Sequence, residues 1–151
     1  MKVFESLADL GAQAGQVEGS SEWVTITQTQ IQQFADATGD QQWIHVDPEL
    51  ARAGPFGAPI AHGFLTLSLL PQFFERTIAV KGVRMAVNYG LNKVRFLAPV
   101  LVESRLRAHF TLLRSDPIEG NGLQMLWEMR VEREGQIKPV CIAESLLRQY
   151  A

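Results

Sequence analysis

An aspartate and a histidine stand five residues apart in the segment GDQQWIH, as Asp40 and His45. A carboxylate and an imidazole on one short stretch between two helical segments can converge on a single water molecule. That pair is the minimum equipment for adding water to a double bond. Water must lose a proton as its oxygen attacks, and a neutral imidazole with a pKa of about 6.5 is the side chain best matched to accept it near neutral pH. His45 is therefore the candidate base, and Asp40 the group that holds the same water from the other side and passes a proton onward. Trp43 and Ile44 are expected to shelter the Asp40 carboxyl group from water, which favours its proton-donating form. Taken singly, each residue has a plainer reading: aspartate after glycine is a common turn residue, and a lone histidine is more often structural.

The elements that must position this pair are legible on both sides of it. Trp23 to Ile26 reads as a strand. Thr27 and Gln30 then form the T-x-x-Q pattern of a capping box, with Ile31, Phe34 and Ala35 supplying one apolar helix face that should stop at Gly39. Asp47 before Pro48 is an N-cap with proline at the first helical position, opening a short helix to Ala53 that Gly54 closes. Asp40 to Val46 is thus expected as a tethered loop. Ile60 to Thr77 is apolar on every side and predicts the buried central helix, kinked or stopped early by Pro71. A short lead-in helix is expected within Phe4–Ala14.

The second half changes period. Val94 and Phe96, then Leu106 to Leu112 and Met125 to Val131 alternate with polar residues, as half-buried antiparallel strands do, and Val140 to Leu147 adds a last strand. Turn signals at Ser115-Asp116-Pro117 through Gly120-Asn121-Gly122 and at Glu134-Gly135 separate them. Trp127 and the alternating methionines belong to the core. One early strand, a buried helix and four or five antiparallel strands make an α+β domain, a curved antiparallel sheet wrapped around a long central helix. Its exposed edge invites a homodimer.

A length of 151 residues suits one domain spanning 1–151. A net charge of −2 gives no reason to expect nucleic acid or an anionic membrane as partner. The one cysteine, Cys141, excludes an internal disulfide and lies in an apolar run, as a buried packing residue in a reducing compartment does. Neither a signal peptide nor a membrane span is visible, so a cytoplasmic location is expected.

The run ATGDQQWIHVDPELA, followed by GPFGAPIAHGFLTLSLLP, resembles the hydratase-2 motif of the MaoC-like, (R)-specific enoyl-thioester hydratase family. NYGLNKVRFLAPV and the chain length resemble its nodulation-protein-N-like branch. The motif fixes Gly39-Asp40, His45, Asp47-Pro48 and His62-Gly63 together, and the likeness extends from about Ser21 onward. It implies a hot-dog fold and reversible hydration of a trans-2-enoyl thioester to an (R)-3-hydroxyacyl thioester, carried on coenzyme A or an acyl carrier protein, with no cofactor and no metal. Asp40 and His45 match the family's catalytic pair. One position departs: the better-known bacterial members carry a serine eight residues after the helix glycine, where this chain has Pro71. Ser68 lies one helical turn earlier and is not assigned that role.

On this reading the developing enolate oxygen needs a fixed donor. The amide of Gly63, at the start of a buried helix and with no Cβ in the way, suits it. His62 is expected beside it in a supporting, hydrogen-bonded place. Phe64, with Phe56 and Leu65, is expected to line an apolar slot for the acyl chain. Lys93 and Arg95 could meet a phosphate-bearing carrier, and His109 reads as a surface residue. Two rival functions follow from the same residues. A metal hydrolase would recruit Asp40, His45, Asp47 and His62, but no second histidine stands at helical or strand spacing from His45. A hot-dog thioesterase or a non-catalytic acyl-binding subunit is the closer rival, because fold does not determine function.

Overall fold

The computed structural model describes residues 1–151. In chain order the elements are β1 (Lys2–Phe4), α1 (Leu7–Ala12), β2 (Glu18–Ser20), β3 (Val24–Thr25), α2 (Gln28–Thr38), α3 (Trp43–Val46), α4 (Pro48–Ala53), α5 (Gly63–Ser68), α6 (Leu70–Glu75), β4 (Ile78–Val80), β5 (Met85–Phe96), β6 (Arg105–Ile118), β7 (Gly122–Arg133) and β8 (Cys141–Tyr150). The main sheet runs β2-β6-β7-β8-β5, with β3 also on β6, and every pairing in it is antiparallel. β1 and β4 form a separate parallel pair. The α+β arrangement of sheet around helix is as the sequence pattern predicts.

The core lies between the sheet and α5–α6. Leu106, Ala108, Phe110 and Leu112 of β6 and Met125, Trp127, Met129 and Val131 of β7 all point inward, as their alternation requires. Phe74 of α6 meets Phe110 and Trp127 edge-to-face, at ring-centre distances of 5.3 and 5.0 Å. Burying these rings and aliphatic chains removes apolar surface from water, at about 25 cal/mol per Å². Cys141 is buried among them, and burial pushes its thiol pKa up to about 11, as befits an inert packing residue. No helix is long and apolar enough to cross a membrane.

Two expectations are corrected. The central helix does not begin at Ile60. That residue bridges Leu101, Ala61 N–H donates to Val100 O at 2.7 Å, and these long-range bonds hold the chain extended until Gly63. The break expected at Pro71 is present and leaves two short helices, since Pro71 cannot donate a hydrogen bond to the preceding turn and α6 restarts after Leu69. The lead-in helix, Leu7–Ala12, lies within its expected stretch, with Phe4 taken up by β1. Finally, β6 runs straight through Ser115-Asp116-Pro117, paired to Gln124 and Leu123 of β7. The turn falls instead on Gly120 and Asn121, whose φ of 77° and 56° are left-handed, the geometry a tight hairpin needs. β5 is longer than the strand expected at Val94 and Phe96. It is the sheet's edge, with Met85, Val87, Tyr89, Leu91 and Phe96 exposed.

Candidate active site

The segment between α2 and α5 is built by local signals that the sequence announces. The Thr27–Gln30 capping box starts α2, and Gly39, at φ 80°, ends it with its N–H donating to Ala35 O. That left-handed turn throws Asp40 clear of the helix. Asp47 Oδ1 accepts from the N–H groups of Glu49 and Leu50 at 3.1 and 3.0 Å, which fixes the start of α4 and occupies Asp47 as a cap. Between the two lies not a loop but the single turn of α3, and His45 is on it.

His45 is buried, and its Nδ1–H donates to Ile60 O at 2.6 Å. A carbonyl oxygen can only accept, so the neutral ring carries its proton on Nδ1 and keeps the lone pair of Nε2 free. Burial holds the His45 pKa below the usual value of 6.5. The hydrogen bond to Ile60 and the Asp40 charge oppose this, and neighbouring His62 adds to it. The ring therefore stays neutral, and basic at Nε2, at neutral pH. Gln28, an unheralded contributor from α2, donates to His45 O at 2.8 Å and ties α3 to the core.

His62 is more involved than the sequence suggests. Its ring stacks on His45 with centres 3.8 Å apart and planes 25° apart, and it leans on Phe34. Its Nε2–H donates to Asp40 O at 3.0 Å, so one imidazole clamps both the ring of His45 and the backbone of Asp40. Its Nδ1 is sealed without a partner. One carboxylate oxygen of Asp40 and one ring nitrogen each of His45 and His62 lie within 4.8 Å of one another. Asp40 and His45 share no direct hydrogen bond, and a gap of that size takes one bridging water.

Gly63 follows at the first position of α5. No backbone acceptor takes its N–H, and a Cβ there would come within 2.9 Å of the Phe96 ring. A cavity of about 360 Å³ opens at this point, lined by Phe56, Ile60, Gly63, Thr66 and Phe96 among others. Thr66, buried on this wall, is a side chain that the sequence reading passed over.

Some expected contacts are absent. Asp40 is exposed, because the Trp43 ring turns away to lie on Gly54. Phe64 is 68% exposed and touches Phe96 edge-on at the rim, and Leu65 points into the core, so of the three expected slot residues only Phe56 lines this cavity. Lys93 and Arg95 are exposed on the edge strand. His109 is not a free surface residue but is bonded to Ser20 and Glu132.

The sequence profile described as MaoC like domain matches residues 9–124. This chain belongs to the MaoC-like family. It is 56% identical over 151 residues, all of both chains, to 3-hydroxyacyl-thioester dehydratase Z of Mycobacterium tuberculosis. It is 46% identical to Nodulation protein N of Rhizobium leguminosarum, over 91% of this chain and 87% of that one. Among solved structures, a monoamine oxidase regulatory protein from Archaeoglobus superposes with a TM-score of 0.77 at 26% identity, covering 99% of this chain and 97% of that one. R-hydratase PhaJ1 of Pseudomonas aeruginosa shares the hot-dog fold, with a TM-score of 0.69 at 24% identity over 87% and 78% of the chains.

Within this MaoC-like fold, the Ser68 hydroxyl spends its one proton on Phe64 O, to which Oγ donates at 2.7 Å. The metal alternative meets a geometric obstacle. Imidazole lone pairs lie in the ring plane, and two rings stacked 3.8 Å apart aim theirs side by side rather than at one point.

Proposed function

We propose that this MaoC-like protein is a hydratase that interconverts trans-2-enoyl and (R)-3-hydroxyacyl thioesters of coenzyme A or an acyl carrier protein. The observation that carries the reading is the fixed tautomer of His45, which leaves Nε2 without a protein partner, in a ring within 4.8 Å of the Asp40 carboxyl group and anchored on Ile60, a residue of the cavity wall. The 56% identity to a named 3-hydroxyacyl-thioester dehydratase supports the same chemistry.

In the hydration direction, His45 Nε2 removes a proton from the bridging water as the water oxygen bonds to C3 of the enoyl group. The alkene electrons move onto the thioester carbonyl, and the Gly63 N–H donates to the resulting enolate oxygen. The imidazolium passes that proton to the Asp40 carboxylate, and C2 takes it from Asp40, which ends as it began. The net change is the addition of one water molecule. His62 takes no proton in this scheme, and its part is to hold Asp40 and His45 in register.

The protein works as a cytoplasmic homodimer in this proposal. β5 ends the sheet with an unpaired edge and exposed Met85, Val87, Tyr89 and Leu91. A second copy across a two-fold axis would cover that edge. Lys93 and Arg95, exposed on the same strand, would meet the phosphates of the carrier.

Crotonyl-coenzyme A tests the reaction. The expected result is loss of the conjugated enoyl absorbance without release of thiol. Thiol release would make the protein a thioesterase, and no change with short, medium or long chains would make it a binding subunit.

A further inference from the structure

The core-facing residues of β8 are Cys141, Ala143, Ser145, Leu147 and Gln149. Two of the five are polar, on a face where sheet packing asks for apolar side chains. Ser145 and Gln149 are each only 7% exposed, and the Gln149 side chain has no protein hydrogen-bond partner, with its Oε1 sealed in the wall. Keeping an unpartnered amide on a core face is costly, so it points to a ligand that bonds the end of the amide left open, Nε2.

Both residues line a cavity of about 500 Å³ between the α5–α6 pair and the β5–β8 side of the sheet, with Asn88, Leu147 and Pro71 on its other walls. The helix break at Pro71 lies on this wall. The cavity lies further along the same helix pair than Gly63. Gly63 faces Phe96 at one end of β5, and Ser68, five residues further along the helix, already lines the second cavity. Five helical residues span about 7.5 Å. Gln149 stands opposite Ala86, at the other end of β5 from Phe96. An acyl chain held at Gly63 and laid along α5 and α6 would therefore bring its far part, not its reacting carbons, to Gln149.

A plain hydrocarbon tail would close over the Gln149 amide and leave it unbonded. A hydroxyl, ketone or amide on the tail would satisfy it, since the oxygen of each accepts from Nε2. The lining includes Glu75 and neither lysine nor arginine, which disfavours a carboxylate. We propose that this cavity selects acyl chains carrying a neutral polar group on their distal part, with Gln149 as the hydrogen-bonding anchor. The proposal rests on the hydratase reading above for its orientation, and deepens it by naming the substrate class.

The test compares trans-2-dodecenoyl-coenzyme A with its ω-hydroxy analogue. The expected kcat/KM ratio in the native protein favours the hydroxylated substrate by about tenfold or more, the discrimination that a site built around a hydrogen bond achieves. Gln149→Leu should bring the ratio below one, and Gln149→Met serves the same purpose if the leucine variant does not fold by circular dichroism. A native protein that prefers the plain chain, or a ratio unmoved by both substitutions, overturns the proposal. Calorimetric titration with the saturated thioesters, dodecanoyl- and ω-hydroxydodecanoyl-coenzyme A, reads the cavity without the chemistry. Tighter binding of the hydroxylated thioester by a protein that hydrates nothing would sink the hydratase reading and uphold the cavity's selectivity. Equal affinity for the two would sink the selectivity, whatever the turnover.

Discussion

Two histidine–carboxylate groups sit in this molecule, and only one of them is equipped for chemistry. On the outer face of the sheet, His109 is held by Ser20 Oγ on Nδ1 and by Glu132 on Nε2, and Glu132 also pairs with Arg107 at 3.0 Å. Burial alone would raise the Glu132 pKa, but hydrogen bonds from His109 and Arg107 outweigh it and hold the carboxylate below its usual range. Both imidazole nitrogens are spoken for, and the pair lies on a strand surface. Around His45 the arrangement is the reverse. One nitrogen is fixed by Ile60, the other is free, and the carboxylate is near but unbonded, beside a cavity. Proximity of the two side-chain types is common to both sites. What separates them is whether hydrogen-bonding capacity is left open for a substrate.

That contrast can be broken by mutation. The largest effect is expected at the open pair: Asp40→Asn and His45→Ala should each lower hydration of crotonyl-coenzyme A by about 10²–10⁴-fold, with circular dichroism showing the fold retained. His62→Ala should come next, with a loss of about tenfold to a hundredfold, because it releases the clamp and a small displacement of catalytic groups is enough for such a loss. His62→Phe keeps an aromatic stack but not the bond to Asp40, and should fall between His62→Ala and the native protein.

Acid provides a third test. The pKa of His45 in the folded chain lies below 6.5, so between those values the unfolded chain binds the proton that the folded one refuses. Its contribution to stability is therefore neutral above pH 6.5 and turns unfavourable as pH falls toward the folded pKa. The base stays unprotonated through the same window, so the acid limb of kcat/KM should have its midpoint below 6.5. A midpoint at or above that value would mean that burial does not govern this ring. The smallest effect belongs to the closed pair. His109→Ala should cost less than about 1 kcal/mol in a denaturant melt, as partly exposed ion pairs do, and should leave the hydration rate alone. Ser68→Ala should also have a minor effect, since its hydroxyl already serves Phe64.

How much of this was legible in the sequence follows from the range of the interactions involved. The capping box at Thr27, the stop at Gly39 and the Asp47-Pro48 helix start are decided within four residues, and they stand where their sequence signals put them. The strands with one buried face, such as Met125 to Val131, show their period. The first half of β5 was missed although Met85, Val87, Tyr89 and Leu91 alternate with Ala86, Asn88 and Gly90, because that row is exposed at the sheet's edge rather than buried in the core. The start of the central helix was misplaced because Ile60 and Ala61 are held by Val100 and Leu101, some forty residues away, which no local pattern reveals. The same limit applies at the site. Asp40 and His45 could be named from their spacing, but the stack of His62 on His45 and the exposure of Asp40 depend on how separate segments meet.

The central claim is that Asp40 and His45 act on one shared water. The most direct measurement is a double-mutant cycle on crotonyl-coenzyme A hydration with Asp40→Asn, His45→Gln and the two combined. Groups that serve one step as a unit lose their effect together, so the double variant should be about as slow as the slower single variant. Losses that multiply, with the double variant slower by the product of the two single effects, would show that the carboxylate and the imidazole act independently and would contradict the account.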